Sequence, residues 1–150
     1  MELLLTSTVA LLDYDVSGPA ALELFRERWD FAGEFLWPMR DGKVDRLHVD
    51  AANSKVYETE HGTHVYVRFK NDLPDITLNV LQFSLGSDYA REAHNYRRIV
   101  VDHDGAWNLL AQAKEAITKH GYQPVSEERL DPESTKRLRS ILRRRRNHVR

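Results

Sequence analysis

The sequence contains no cysteine, and this absence excludes disulfide bonds, thiolate nucleophiles and cysteine-ligated zinc or iron–sulfur sites. No apolar run approaches the roughly 18–20 residues that a membrane-spanning helix requires. The N-terminal residues Met1–Leu5 lack the basic region with which a signal peptide begins. We therefore expect a cytoplasmic protein that has no membrane among its partners.

Glycine-rich loops are also missing, because the seven glycines are isolated from one another. Neither the dinucleotide-binding pattern G-x-G-x-x-G nor the P-loop pattern occurs. The G-x-S-x-G elbow of hydrolases is absent as well. The sequence thus indicates no catalytic residue, no cofactor and no metal, and it favours a non-enzymatic binding or regulatory protein.

The 150 residues are 41% apolar and 30% charged, a composition typical of a soluble globular domain. Period-two patterns predict strands at 3–12, 44–50, 54–60, 63–70 and 75–85. A helix is expected to begin near Ser17 to Pro19 and to carry an apolar stripe as far as Leu36. The predicted fold is α+β, an antiparallel sheet of about five strands with an N-terminal β-α unit and helices after the sheet.

Further helices are predicted in the second half of the chain. Residues 89–98 are compatible with a short helix. Asp102 or Asp104 can cap a helix that ends before Gly121, and Asp131-Pro132 starts a final, basic helix. The core is expected to contain eleven apolar residues: Leu22, Phe25, Trp29, Val65, Val67, Phe69, Leu78, Val80, Trp107, Leu110 and Ile117.

The link His61-Gly62 predicts a two-residue hairpin turn between the strands at 54–60 and 63–70. That turn would place Tyr57 opposite Tyr66, and Val56 opposite Val67. If the two tyrosines lie on the solvent side of the sheet, they form an exposed aromatic pair beside Arg68 and Lys70. Tyr57, Tyr66 and Arg68 are therefore candidate contacts for a nucleic acid on the sheet face.

Charge is distributed very unevenly along the chain. Residues 1–134 hold 14 basic residues and all 23 acidic ones, a net charge of −9. Residues 135–150, here called the C-terminal basic segment, hold eight basic residues and no acid: Lys136, Arg137, Arg139, Arg143, Arg144, Arg145, Arg146 and Arg150. We expect one α+β domain over 1–130, with a basic helix over 131–150 appended to it.

The C-terminal basic segment is the strongest candidate binding site, because guanidinium groups pair with phosphate and carboxylate and stay charged at physiological pH. Lys136, Arg139 and Arg143 share one helical side, where like charges repel unless an anion lies against them. The alternative is that the helix packs its apolar side on the body while its arginines pair with acidic side chains there.

Histidines provide the remaining candidates for chemistry. His61 and His64 form an H-x-x-H pattern at the predicted hairpin. Because side chains alternate along a strand, two residues three positions apart point to opposite faces. Asp102-His103-Asp104 could raise the pKa of the imidazole, or the aspartates could simply cap a helix. His48 and Asp50 share a strand face that could approach His64.

The leading hypothesis is a small binding protein that holds an anionic partner, nucleic acid first or else an acidic protein surface, with its C-terminal basic segment. The alternative is a protein-binding inhibitor or regulator that presents an acidic face to a basic partner. An enzyme with a site among His48, Asp50, His64 or His103 ranks third. Self-association into a homo-oligomer is left open.

Overall fold

The computed structural model describes residues 9–108 and 128–144. Its elements in chain order are β1 (Val9–Tyr14), α1 (Gly18–Ala32), β2 (Trp37–Pro38), β3 (Val44–Asp45), a 3₁₀ turn (Ala51–Asn53), β4 (Lys55–Glu58), β5 (Thr63–Arg68), α2 (Asp75–Ser84), α3 (Tyr89–Val100), β6 (Arg129–Leu130) and α4 (Pro132–Arg143). The predicted α+β class with an antiparallel sheet is confirmed. The helix predicted to begin at Asp102 or Asp104 does not start there, because residues 102–108 are turn and loop; the rest of that prediction, with Leu110 and Ile117, lies outside the described residues.

The main sheet has four antiparallel strands in the order β1-β5-β4-β6. The predicted strand 44–50 is mostly wrong, because only Val44–Asp45 is a strand, and it pairs with β2 in a separate two-stranded sheet. A single bridge between Val49 and Phe69 then returns this segment to the end of β5.

The hairpin between β4 and β5 differs from the prediction by two residues. Val56 pairs with Val65, and Tyr57 pairs with His64, so four residues rather than two form the turn. Gly62 is needed for a steric reason, since a Cβ there would lie 2.2 Å from the carbonyl oxygen of Tyr14. The turn is thus shaped by the neighbouring β1 strand.

The predicted strand at 75–85 is wrong, because this segment is the helix α2. Leu78, Leu81 and Leu85 are fully buried at helical steps of three and four. Val80 belongs to the opposite side and is 46% exposed, so its place in the expected core is also wrong. The ambiguous stretch at 89–98 is the helix α3.

Helix α1 forms where the apolar stripe and Pro19 predict it, but it ends at Ala32. Gly33 occupies the C-cap, and Leu36 is 59% exposed rather than part of the stripe. The buried residues of the helix are Ala21, Leu22, Phe25, Trp29 and Ala32. They contribute to one hydrophobic cluster that also contains the inward side chains of β1, β4 and β5.

Helix α4 begins as predicted at Asp131, whose carboxylate accepts the backbone N–H of Ser134 at 3.1 Å. Leu138, Ile141 and Leu142 are buried in the same cluster as α1 and the sheet. The last helix is therefore part of the main hydrophobic core. Across residues 9–108 and 128–144, no helix has the length and apolar character to cross a membrane.

Replacing Leu138 tests how much the fold depends on α4. Leu138 is fully buried, so Leu138→Ala is expected to lower the free energy of unfolding by about 2–5 kcal/mol. The control is Lys136→Ala on the exposed side of the same helix, which should change stability by less than about 0.5 kcal/mol. A denaturant melt in which Leu138→Ala loses less than about 1 kcal/mol would instead support an appended helix over 131–150.

Candidate functional site

The face of the sheet opposite the hydrophobic cluster is polar. Because side chains alternate along a strand, the register sets Asp13, His64 and Tyr57 in one row across β1, β5 and β4. The next row contains Leu11, Tyr66 and Lys55. Polar and aromatic groups from three strands thus lie side by side on one face.

Tyr57 and Tyr66 are not directly opposite each other, yet their rings are in contact. The ring centroids lie 5.3 Å apart at an interplanar angle of 77°, an edge-to-face pair. They border a pocket of 270 Å³, here called the sheet-face site, that is lined by Val9, Asn53, Lys55, Tyr57, Tyr66, Arg68 and Glu128. Three predicted contacts, Tyr57, Tyr66 and Arg68, therefore lie in one pocket.

The cations of the sheet-face site have no acidic partner among the residues that the structure describes. Within the described parts of the chain, Lys55 and Arg68 form no ion pair with any acidic side chain. Lys55 is exposed and Arg68 is partly exposed. Lys70 does not join them, since it lines a different depression on the molecule.

Ser54 joins the sheet-face site to the C-terminal basic segment. Its hydroxyl accepts the backbone N–H of Arg68 at 3.0 Å, and its carbonyl accepts the Nε–H of Arg139 at 3.1 Å. Ser54 is fully buried and directly precedes Lys55. The two sets of residues predicted to contact an anion therefore meet at this serine.

Besides Arg139, the basic side chains of α4 and of Arg144, which directly follows it, divide into two groups. Arg137 pairs with Glu23 at 3.3 Å, and Arg144 pairs with Asp30 at 2.5 Å, both on α1. Lys136 and Arg143 are exposed and have no ion-pair partner within the described residues. Arg145, Arg146 and Arg150 lie outside the described residues.

A buried histidine lies beside the sheet-face site. Nδ1 of His64 is 2.7 Å from Oε2 of Glu128, and Nε2 is 3.5 Å from Oδ1 of Asp13. The Tyr66 hydroxyl donates to the same Glu128 oxygen at 2.5 Å. His64 is 3% exposed, so β1, β5 and the segment entering β6 are tied together through one imidazole.

The charges of this cluster stabilise one another. Burial alone would lower the pKa of His64, but hydrogen bonds and charges from Asp13 and Glu128 raise it above its usual value. Burial would raise the pKa of Glu128, whereas the bonds from His64 and Tyr66 lower it. Burial and the bonded Glu128 raise the pKa of Tyr66. The cluster therefore favours an imidazolium beside a carboxylate.

The other candidate residues for chemistry are dispersed. His48 lies 3.4 Å from Asp45, and Asp50 accepts a hydrogen bond from Asn53. His103 is exposed in a loop and has a φ of 52°. Over residues 9–108 and 128–144, no group of three or more His, Asp or Glu side chains is arranged to hold a metal ion.

Sequence reasoning missed Lys55, Ser54 and Glu128. Lys55 could have been found, because it occupies the same face of its strand as Tyr57. Ser54 and Glu128 carry no local signal, since Glu128 is 64 positions away from His64. Their roles depend on which strands the fold brings together.

The His64 cluster predicts a pH dependence of stability. Because the pKa of His64 is raised in the fold, its contribution is complete below the unfolded value of about 6.5 and is lost as pH rises through the folded value. The difference in unfolding free energy between wild type and His64→Gln should therefore be largest below about pH 6.5 and shrink as the pH rises above it. Denaturant melts below and above this pH measure it, with the exposed His48→Gln as control. A constant difference would show that His64 stays neutral in the fold.

No family model, curated protein or solved structure matches this chain. Its function is therefore inferred from the side chains of the site. Those side chains offer flat aromatic rings, a carboxylate, and two cations that pair with no acid in the described parts of the chain, all in one pocket.

Proposed function

We propose that this protein binds single-stranded nucleic acid across the sheet-face site and along the adjoining side of α4. The observation that carries the proposal is the pocket itself, in which Tyr57 and Tyr66 lie beside Lys55 and Arg68. Unstacked bases pack on aromatic rings, while Lys and Arg contact the phosphates that link them. This combination supports a nucleic-acid ligand over a simple anion.

The link through Ser54 extends the proposed surface. Arg139 bonds to the carbonyl of Ser54, and Arg143 follows it one turn later on the same side of α4. A strand of nucleic acid that leaves the pocket past Lys55 would meet these two arginines next. The C-terminal basic segment then serves as a continuation of the sheet-face site.

A single strand fits the charge distribution better than a duplex does. Residues 1–134 carry a net charge of −9, which repels a wide polyanion. Paired bases are also stacked within the helix and cannot pack on Tyr57 or Tyr66. The favourable contacts are confined to a narrow path, and a flexible strand can follow such a path.

Removing the two pocket cations tests the proposal. The double variant Lys55→Ala/Arg68→Ala should bind a fluorescent single-stranded oligonucleotide at least about tenfold more weakly at low salt, because two phosphate contacts are lost. Each lost contact also makes the plot of log K against log salt less steep by about 0.7. The slope itself should fall by about 1.4. Anisotropy titrations at several salt concentrations measure both quantities.

The matched control is Lys43→Ala/Arg46→Ala, which removes the same charge from the exposed β3 region. Its affinity and salt slope should remain close to those of the wild type. Equal losses in both double variants would show that the protein responds only to its total charge. That result would contradict a specific site.

A second candidate function, binding of a basic protein partner, is favoured by a different observation. The pairs Arg137–Glu23 and Arg144–Asp30 show α4 docked on its own body. An open depression of 940 Å³ carries three aspartates, Asp41, Asp45 and Asp72. Carboxylates around an open depression suit the Lys or Arg side chains of a partner.

Two charge-reversal variants of α4 separate these functions. Lys136→Glu/Arg143→Glu changes the cations without acidic partners, and Arg137→Glu/Arg144→Glu changes those paired with α1. If α4 contacts nucleic acid, the first variant should lose affinity while its thermal stability stays near that of the wild type. The second should mainly lower the thermal midpoint, because it sets Glu beside Glu23 and Asp30. Undetectable oligonucleotide binding by the wild type would leave the protein-binding function as the remaining candidate.

A further inference from the structure

The sheet-face site contains one group that phosphate binding and stacking do not use. Glu128 lies just before β6, and its carboxylate lines the pocket beside Tyr57, Tyr66 and Arg68. Oε2 is occupied by His64 and by the hydroxyl of Tyr66. Oε1 accepts no hydrogen bond from any described residue. A carboxylate oxygen is therefore available inside a pocket that otherwise suits an anion.

The surroundings of Glu128 hold it in its ionised form. His64 binds it from β5, and Asp13 of β1 binds the other side of the same imidazole. Tyr57 of β4 is the cross-strand neighbour of His64. Arg91 of α3 adds a positive charge on the side of Asp13 and Tyr66. An ionised carboxylate is only an acceptor, so Oε1 can accept a hydrogen bond from an N–H or O–H donor of a ligand.

We propose that Glu128 makes the sheet-face site selective for guanine, an inference that rests on the proposed nucleic-acid function. On the Watson–Crick edge of guanine, N1–H and the N2 amino group are adjacent donors. On adenine, cytosine and uracil, each donor of that edge adjoins an acceptor, which repels a carboxylate. Proteins read unpaired bases on this edge while aromatic side chains stack on the ring. Glu128 thereby determines specificity, and Lys55 and Arg68 hold the phosphates.

The arrangement explains why an acidic side chain is tolerated in a site for a polyanion. Glu128 is directed by His64 and Tyr66, whose bonds fix the carboxylate at the edge of the Tyr66 ring. A base stacked on a tyrosine presents its edge at about the level of the ring edge. The negative charge then meets base donors, while the phosphates lie at the cations.

The test uses uracil-rich octamers that carry one central guanine, adenine, cytosine or inosine, each titrated into the full-length protein by fluorescence anisotropy. A single guanine also avoids quadruplex formation. Because Oε2 is already bonded to His64 and Tyr66, both guanine donors must share Oε1. The guanine octamer should therefore bind at least about 5-fold more tightly than the adenine octamer, the lower end of the discrimination of a paired base contact. Inosine keeps N1–H but lacks the N2 amino group, so its affinity should be intermediate.

The variant Glu128→Gln should reduce the guanine-to-adenine affinity ratio to near one. The matched control is Glu58→Gln, which removes an equal charge from neighbouring β4 but lies outside the pocket. Both variants should gain some general affinity through the lost negative charge, and only Glu58→Gln should keep the ratio. A ratio that survives in a folded Glu128→Gln protein would overturn the assignment of Glu128.

The comparison with inosine needs no variant, so the inference can be tested even if Glu128→Gln does not fold. Tight, salt-dependent binding of all four octamers with equal affinity would overturn the guanine selectivity and leave the nucleic-acid function standing. Failure of the wild type to bind any octamer would overturn the nucleic-acid function itself, and the selectivity with it.

Discussion

The sheet depends on one constraint, that every backbone N–H and C=O group on its outer edges must be hydrogen-bonded. On β1, the N–H of Leu11 donates to Gln82 of α2 at 2.9 Å, and its carbonyl accepts from Arg91 of α3 at 2.8 Å. On β4, whose residues Tyr57 and Glu58 pair with β6, the N–H of the preceding Val56 donates to the hydroxyl of Thr135 at 2.9 Å. Side chains of helices thus occupy the places where further strands would pair.

This way of closing the edges requires buried polar groups. Arg91 forms an ion pair with Glu92, and the Glu92 carboxylate also accepts from Asn79, Gln82 and Asn95. Burial lowers the pKa of Arg91, and the adjacent Glu92 opposes that shift. A buried charge is costly unless its partners are complete. The network therefore fixes α2 and α3 in one position against β1 and prevents another chain from pairing with that edge.

The same polar network explains the largest error of sequence prediction. Asn79 and Gln82 are buried on α2, at positions where an ordinary amphipathic helix has apolar residues. The apolar residues of this segment therefore alternate with polar ones, as they do in a strand. Helices α1 and α4 lack such buried amides at their apolar positions, and their starting residues were predicted correctly, although the apolar stripe of α1 ends at Ala32 and not at Leu36. Local patterns fail where the partner of a polar residue lies on a different element.

The sheet-face site was partly predictable for a geometric reason. The expected register of β4 against β5 was wrong by two residues, and a shift of two keeps every side chain on its original face. Tyr57, Tyr66 and Arg68 were therefore grouped correctly although their pairing was not. Glu128 could not be found in this way, because its contact with His64 depends on the path of the chain into β6.

The edge constraint also determines where the basic side chains of α4 lie. Closing the edge of β4 requires α4, whose Arg139 bonds to Ser54 at the start of that strand. The arginines that face α1 are neutralised there by Glu23 and Asp30. Lys55 and Arg68, which have no acidic partner among the described residues, lie on β4 and β5 beside this junction of α4 with the sheet. The helix that completes the hydrogen bonding of β4 thus also brings basic side chains of the C-terminal basic segment to the sheet of an acidic body.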